Sequence, residues 1–288
     1  MSAATPSISP GRAAGITAIF IGFQLGGVII LLGAGAIIGL WRDTSPVFWS
    51  LAAVLLITNS VATACVLQVE RRRQQLPWRF WPSTANPVAK SLLPVLAIIG
   101  GNLVILDLLH RLVVSVIPSL GVIEGSALQL YDITLHPITV PLALIGMAPI
   151  TEELVFRGLI LAGLLRTVRP HRAILISAAC FALMHLNFSQ LMPTFCMGLV
   201  LGWVYYRTQS LLLCMIGHAV HNTVVLYFTA HVISLGLNHT AVISHPATWP
   251  PWWFFAGGLV LIGGGASAVY RFTTPPASPV PPPLPRAN

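Results

Sequence analysis

Charge is what this sequence has least of. Only 8% of its 288 residues are Asp, Glu, Lys or Arg and just 7 are acidic, against 56% hydrophobic residues and a mean hydropathy of +0.83. A soluble domain carries about a quarter of its residues as charges, so a water-exposed globular fold is excluded. Cysteine is scarce too: Cys65, Cys180, Cys196 and Cys214 all fall in apolar stretches without CxxC spacing. That excludes a disulfide framework and suits small buried packing residues. Fixed-period repeats are missing, as are an HExxH helix, a GxSxG-like serine loop, paired aspartates on two spans and a terminal prenylation box.

Long apolar runs are what the chain does have. They fall at about 13–40, 46–68, 92–117, 137–165, 173–189, 190–206, 211–235 and 252–270, each near the 17 to 25 residues that cross a bilayer. The expected fold is all-α, a polytopic transmembrane bundle of about eight spans, with the fifth and sixth short enough to tilt or re-enter. We divide it into N-terminal transmembrane helices (1–136), a core (137–235), a last span (236–271) and a tail (272–288). The first run is about twice the length of a signal h-region and reads as a retained anchor. The Pro-rich tail TTPPASPVPPPLPRAN cannot pack or continue a helix and reads as disordered.

Net charge +8 raises the possibility of nucleic acid, and the positions of the basic residues decide against it. Arg71, Arg72, Arg73, Arg79 and Lys90 lie between the second and third runs; Arg166, Arg169 and Arg172 follow the fourth; Arg207 follows the sixth; Arg271 and Arg286 follow the eighth. The opposite loops carry Asp43, Glu124 and Asp132, with only Arg42 for balance. This is the positive-inside pattern of a plasma-membrane protein with both termini cytoplasmic, and the partner it implies is lipid.

Polar residues inside the runs carry the functional question. A charge at mid-bilayer costs about 2.5 to 3.5 kcal/mol on translocon scales, so Glu152, Glu153 and Arg157 must face protein or water. Glu153 and Arg157 are spaced i, i+4 and can pair across one turn; Glu152 points about 100° away and is left for another partner. His185 ends the fifth run, and His218 and Asn222 share a face of the seventh. Counted at 1.5 Å per residue from the basic ends, Glu152 and His185 lie about 18 Å deep and His218 about 11 Å, levels that one pocket in the cytoplasmic half or middle of the membrane can contain.

Such a set suits hydrolysis. Glu152 can act as general base toward a water held by the histidines and Asn222, whose N–H, or a protonated imidazole, can stabilise an oxyanion. His185, His218 and Glu152 are equally a zinc ligand set, so the sequence leaves a metal-bound and a protein-held water both open, and the cofactor is either none or Zn²⁺. A structural ion-pair network is the plain alternative for the charges.

Other polar features have plainer readings. Asp107, His110 and Arg111 suit an ion pair closing the bundle or a cavity wall, and the pair is favoured. Asn187 and Gln190 suit a turn between the fifth and sixth runs. The pairs Gly22/Gly26, Gly35/Gly39 and Gly198/Gly202 suit close helix packing, and WPPWW at 249–253 an interfacial anchor. His221 sits beside His218, whereas His231, His239 and His245 are too dispersed for a metal site.

In order along successive helices the chain shows Glu152-Glu153-Leu154-Val155-Phe156-Arg157, then Phe181-Ala182-Leu183-Met184-His185, then His218-Ala219-Val220-His221-Asn222. These patterns, E-E-x-x-x-R, F-x-x-x-H and H-x-x-x-N, resemble those of the CAAX prenyl protease 2 and lysostaphin-resistance-protein-A-like family, also called the CPBP or Abi family. The resemblance covers roughly residues 140–230. It implies an intramembrane endopeptidase, of glutamic or metallo type, with a cavity open to the cytoplasm and a peptide or protein substrate, lipidated or not. In it Glu152 is the base, His185, His218 and Asn222 hold the water and the oxyanion, and Glu153 and Arg157 orient the base or contact substrate. The rival class is a non-enzymatic transporter or scaffold using the same residues as a proton path or structural network. A transporter would show two-fold hydropathy repeats with broken helices in both halves, and the sequence has none.

Overall fold

The computed structural model describes residues 7–38, 51–75, 88–117, 137–186, 188–234 and 249–274. Arg42, Asp43, Arg79, Glu124, Asp132, Asn187, His239, His245, Gly39 and the Pro-rich tail beyond 274 lie outside the described residues. Helices account for all regular structure within them: α1 Pro10–Ile38, α2 Leu51–Arg73, α3 Val88–Val116, α4 Thr139–Leu164, α5 Pro170–Met184, α6 Phe188–Thr208, α7 Leu211–Ser234 and α8 Trp252–Phe272. The all-helical bundle expected from the apolar runs is therefore present. Six of these helices, α1, α2, α3, α4, α7 and α8, are both long and apolar enough to cross a bilayer, and the chain is an integral membrane protein. The expected brevity is found for the fifth run, where α5 has 15 residues and about 22 Å of rise against hydrocarbon about 30 Å thick, and not for the sixth, where α6 has 21 residues.

One end of the bundle gathers the basic residues. The Ile8 N–H donates to the Gly163 carbonyl at 3.2 Å, and the Thr167 hydroxyl returns a bond to the Ile8 carbonyl at 2.6 Å. Arg12 pairs with buried Glu70, tying the start of α1 to the end of α2. Arg207, at the end of α6, donates to the carbonyls of Tyr270 (2.9 Å) and Thr273 (2.5 Å) and lies over the Tyr270 ring, 4.2 Å from its centroid. These contacts put the ends of α1, α2, α4, α6 and α8 that carry or adjoin Arg12, Arg71–Arg73, Arg166, Arg207 and Arg271 at one level.

The half of the bundle nearest that end is closely packed around α4. Phe156, Leu159, Ile160, Leu161 and Leu164 of α4 are buried among Phe20, Ala173, Leu201, Val204, Tyr205 and Leu213. Phe156 stands edge-to-face with Phe20 (6.0 Å) and with Phe181 (5.4 Å), geometry that adds to what burial alone supplies.

Glycine decides where helices touch. A Cβ on Gly198 would lie 2.9 Å from the Ala178 Cα, and one on Gly202 3.1 Å from Ile174, so this GxxxG seats α6 on α5 as expected. Gly22 and Gly26 differ from expectation: among the described residues nothing lies within 4 Å of a Cβ there. The contact of α1 with α2 falls on the neighbouring face, at Gly27, where a Cβ would meet Thr58 at 2.6 Å. One residue turns a helix face by about 100°, so spacing alone could not choose between them. The closest seam is antiparallel α3 on α8, where a Cβ on Gly101 would stand 2.4 Å from the Gly258 carbonyl and one on Gly265 2.6 Å from the Pro94 carbonyl.

Because backbone opposes backbone at Gly101, Gly101→Val has no flexible side chain to displace. We expect it to destabilise the protein by about 1 to 3 kcal/mol or more, read as a lowered thermal unfolding midpoint in detergent, whereas Gly22→Val leaves that midpoint unchanged.

Candidate active site

The site is built on a helix whose register is interrupted. In α4, π-helical turns at Leu142–Met147 and Leu154–Leu161 flank the α-helical stretch Ala148–Glu153. Proline explains why one orphan carbonyl appears there. In the π register Ala148 N–H bonds the Ala143 carbonyl, so the next donor should meet Leu144, but the next residue is Pro149, which has no N–H. Asn222 of α7 supplies the missing donor: its Nδ2 donates to the Leu144 carbonyl at 2.8 Å. In the second π stretch the Ser177 hydroxyl donates to the Phe156 carbonyl at 2.9 Å, from α5. Sequence reading attached no role to Pro149 or Ser177; a proline inside an apolar run was the available signal for the first.

Glu153 is the hub. It is fully buried, and its Oε1 accepts from Arg157 Nη1 at 2.9 Å and from His218 Nδ1 at 2.8 Å. The expected pairing of Glu153 with Arg157 is thus present. Arg157 is also fully buried; its Nη2 donates to the Gly198 carbonyl at 3.4 Å and its guanidinium lies 4.5 Å from the centroid of the Phe181 ring. A carboxylate only accepts, so Glu153 fixes a proton on His218 Nδ1 and turns Nε2 the other way. There it faces Glu152, with Nε2 and Oε2 3.9 Å apart, too far for a direct hydrogen bond and close enough for one water to touch both.

Phe181 joins the remaining histidine. Its ring stands edge-to-face with His218 at 5.7 Å and with His185 at 5.1 Å. The Nδ1 of His185 lies 2.9 Å from the Phe181 carbonyl, one turn back, which keeps the proton on that nitrogen and leaves Nε2 available.

These groups meet a cavity of about 860 Å³. Glu152, His185, His218, His221 and Asn222 line it; Glu153 and Arg157 do not, being set behind His218 and Phe181. Glu153 thus touches His218 and Arg157 lies over Phe181, and neither borders the cavity. Asp107 and Arg111 are both an ion pair, at 2.7 Å, and part of the cavity wall. His221 also borders the cavity, with its Nδ1 buried and without a hydrogen-bond partner.

The zinc reading fits less well. Among the described residues no three His, Cys, Asp or Glu are arranged to hold a metal ion. The acceptors on Nδ1 of His218 and of His185 leave both Nε2 atoms open, but among the described residues no third ligand joins His218 and Glu152, so no step below runs through a metal.

The cavity occupies one half of the bundle. Its lining begins at Glu152, midway along α4, and at His218, and runs through Leu144, Asp107, Val225 and Phe228 to Pro250 and Phe254. This is the half away from the basic end, which the packed side chains of α4 and α6 fill instead.

Residues 134–224 match the family model described as type II CAAX prenyl endopeptidase Rce1-like, in agreement with the resemblance drawn from the three motifs. The matched segment is about a third of the chain and includes every residue of the Glu152, Glu153, Arg157, His185, His218 and Asn222 set. It supports a protease with a peptide or protein substrate. No curated protein and no solved structure matches the chain significantly.

Removing one member of a buried ion pair strands the other. Arg157→Leu is expected to cost about 3 to 5 kcal/mol, seen as loss of folded protein and a lowered unfolding midpoint, and adding Glu153→Leu restores most of that midpoint.

Proposed function

We propose that the protein is an intramembrane endopeptidase in which Glu152 activates the attacking water. The observation that carries this reading is the opposition of Glu152 and His218 Nε2, 3.9 Å apart at the inner end of the cavity, with Glu153 behind His218. A water between them gives one hydrogen to the Glu152 carboxylate and the other to Nε2, leaving a lone pair directed toward the cavity. Glu152 takes the proton as the water oxygen bonds to the scissile carbonyl carbon. The negative charge that develops on the carbonyl oxygen is met by the second N–H of Asn222, whose first is spent on Leu144. Glu152 then returns its proton to the leaving amine as the C–N bond breaks.

Each remaining residue has a place in this scheme. Glu153, held by Arg157, fixes the tautomer and direction of His218. Arg157 is a positioning residue twice removed from the water. His185 offers its Nε2 to the water or the incoming peptide from the far side of Phe181.

Purified wild type should cleave members of a fluorogenic peptide panel, prenylated and unprenylated. Glu152→Gln should lower the rate by about 100-fold or more, the scale on which a general base contributes, while keeping the wild-type unfolding midpoint. A Glu152→Gln protein that cleaves as fast as wild type would remove Glu152 from the mechanism. Asn222→Ala is expected to lower kcat with little change in KM, since its free N–H is used only as the oxyanion forms.

A further inference from the structure

We infer that the cavity opens on the non-cytoplasmic face of the membrane, so that the enzyme acts on polypeptides presented from the exported side. The inference rests on the peptidase reading for the word substrate, and on independent observations for the side.

The first observation is the charge layout. Arg12, the Arg71–Arg73 run, Lys90, the Arg166–Arg172 turn, Arg207 and Arg271 sit at or beside helix ends that contacts place at one level. Lys90 joins them because α3 runs antiparallel to α8, with Pro94 beside Gly265. The segments 39–50, 118–136 and 235–248 join helices at the other end and contain Arg42 as their single basic residue, beside Asp43, Glu124 and Asp132. These are short connections, the kind for which basic bias sets orientation, so the basic end is cytoplasmic.

The second observation is where space exists. Toward the basic end, α4 is sealed by Phe156, Leu159, Leu161 and Leu164, all fully buried. Toward the other end the walls separate. Asn59, Asp107, Leu144, Gln190 and Val225, all on the halves of their helices farther from the arginines, line the cavity. The free space therefore extends from Glu152 and His218 away from the arginines.

The walls also describe what enters. Leu56, Leu103, Val104 and Leu144 make them largely apolar, and Asp107 neutralises Arg111 near the outer end. An extended apolar segment of a membrane-anchored or secreted precursor, reaching Glu152 from outside, fits this lining. A protein lipidated and retained in the cytoplasm would meet the sealed end.

Sidedness can be read without turnover. In the full-length chain, Val225→Cys and Gln190→Cys mark the cavity and Arg169→Cys marks the basic end, with wild type as the background for native cysteines. A membrane-impermeant thiol reagent should label both cavity cysteines in intact cells and Arg169→Cys only in inverted vesicles. Labelling of the cavity cysteines only in inverted vesicles, or of Arg169→Cys in intact cells, would overturn the inference. So would cavity cysteines that react in detergent and from neither side of the membrane. Intact cells should also cleave an impermeant fluorogenic peptide added outside, and lose that cleavage with Glu152→Gln. Outward labelling without cleavage would count against the peptidase reading and leave the sidedness standing.

Discussion

The carboxylate of Glu153 holds this structure together at its most costly point. Three helices are tied through this group: α4 provides Glu153 and Arg157, α7 brings His218 to the same carboxylate oxygen, and α6 takes the other end of the guanidinium on the Gly198 carbonyl. In an apolar interior neither charge is tolerable alone, and each partner is the condition for burying the next. Gly198 shows how far the constraint spreads. It must lack a side chain to let α6 approach Ala178, and the same approach brings its carbonyl within reach of Arg157.

That constraint explains which parts of the molecule could be read from the sequence. The helices were legible because a bilayer selects long apolar runs, and the Glu153–Arg157 pair because i, i+4 spacing leaves little choice. The partner of His218 was not legible. Glu152 and Glu153 are adjacent, and only the rotation of α4 against α7 decides which carboxylate meets Nδ1 and which faces the cavity. The π-helical turns around Ala148–Glu153 set that rotation, and no hydropathy pattern reports them. Gly22 and Gly27 make the same point at the α1–α2 contact, where composition announces close packing and only geometry names the glycine.

The height of the cavity was hidden for a related reason. Depth counted along single helices put Glu152 and His185 at one level, and both line the same cavity. Which way a mid-membrane site opens depends on where neighbouring side chains leave a gap. Phe156, Leu159 and Leu161 follow Glu152 on the same helix and look like any apolar run, yet they close one route. Leu144 and Met147 precede it, look no different, and line the other.

The shortness of α5 has its own consequence for the end of that helix. A rod of about 22 Å set in about 30 Å of hydrocarbon ends inside the apolar layer, and the last carbonyls of a helix need donors that lipid tails cannot give. Its last turn is Phe181 to Met184, closed by His185, and His185 itself takes the Phe181 carbonyl. The carbonyls left open at this end need donors from the protein or from water reaching the cavity that His185 lines.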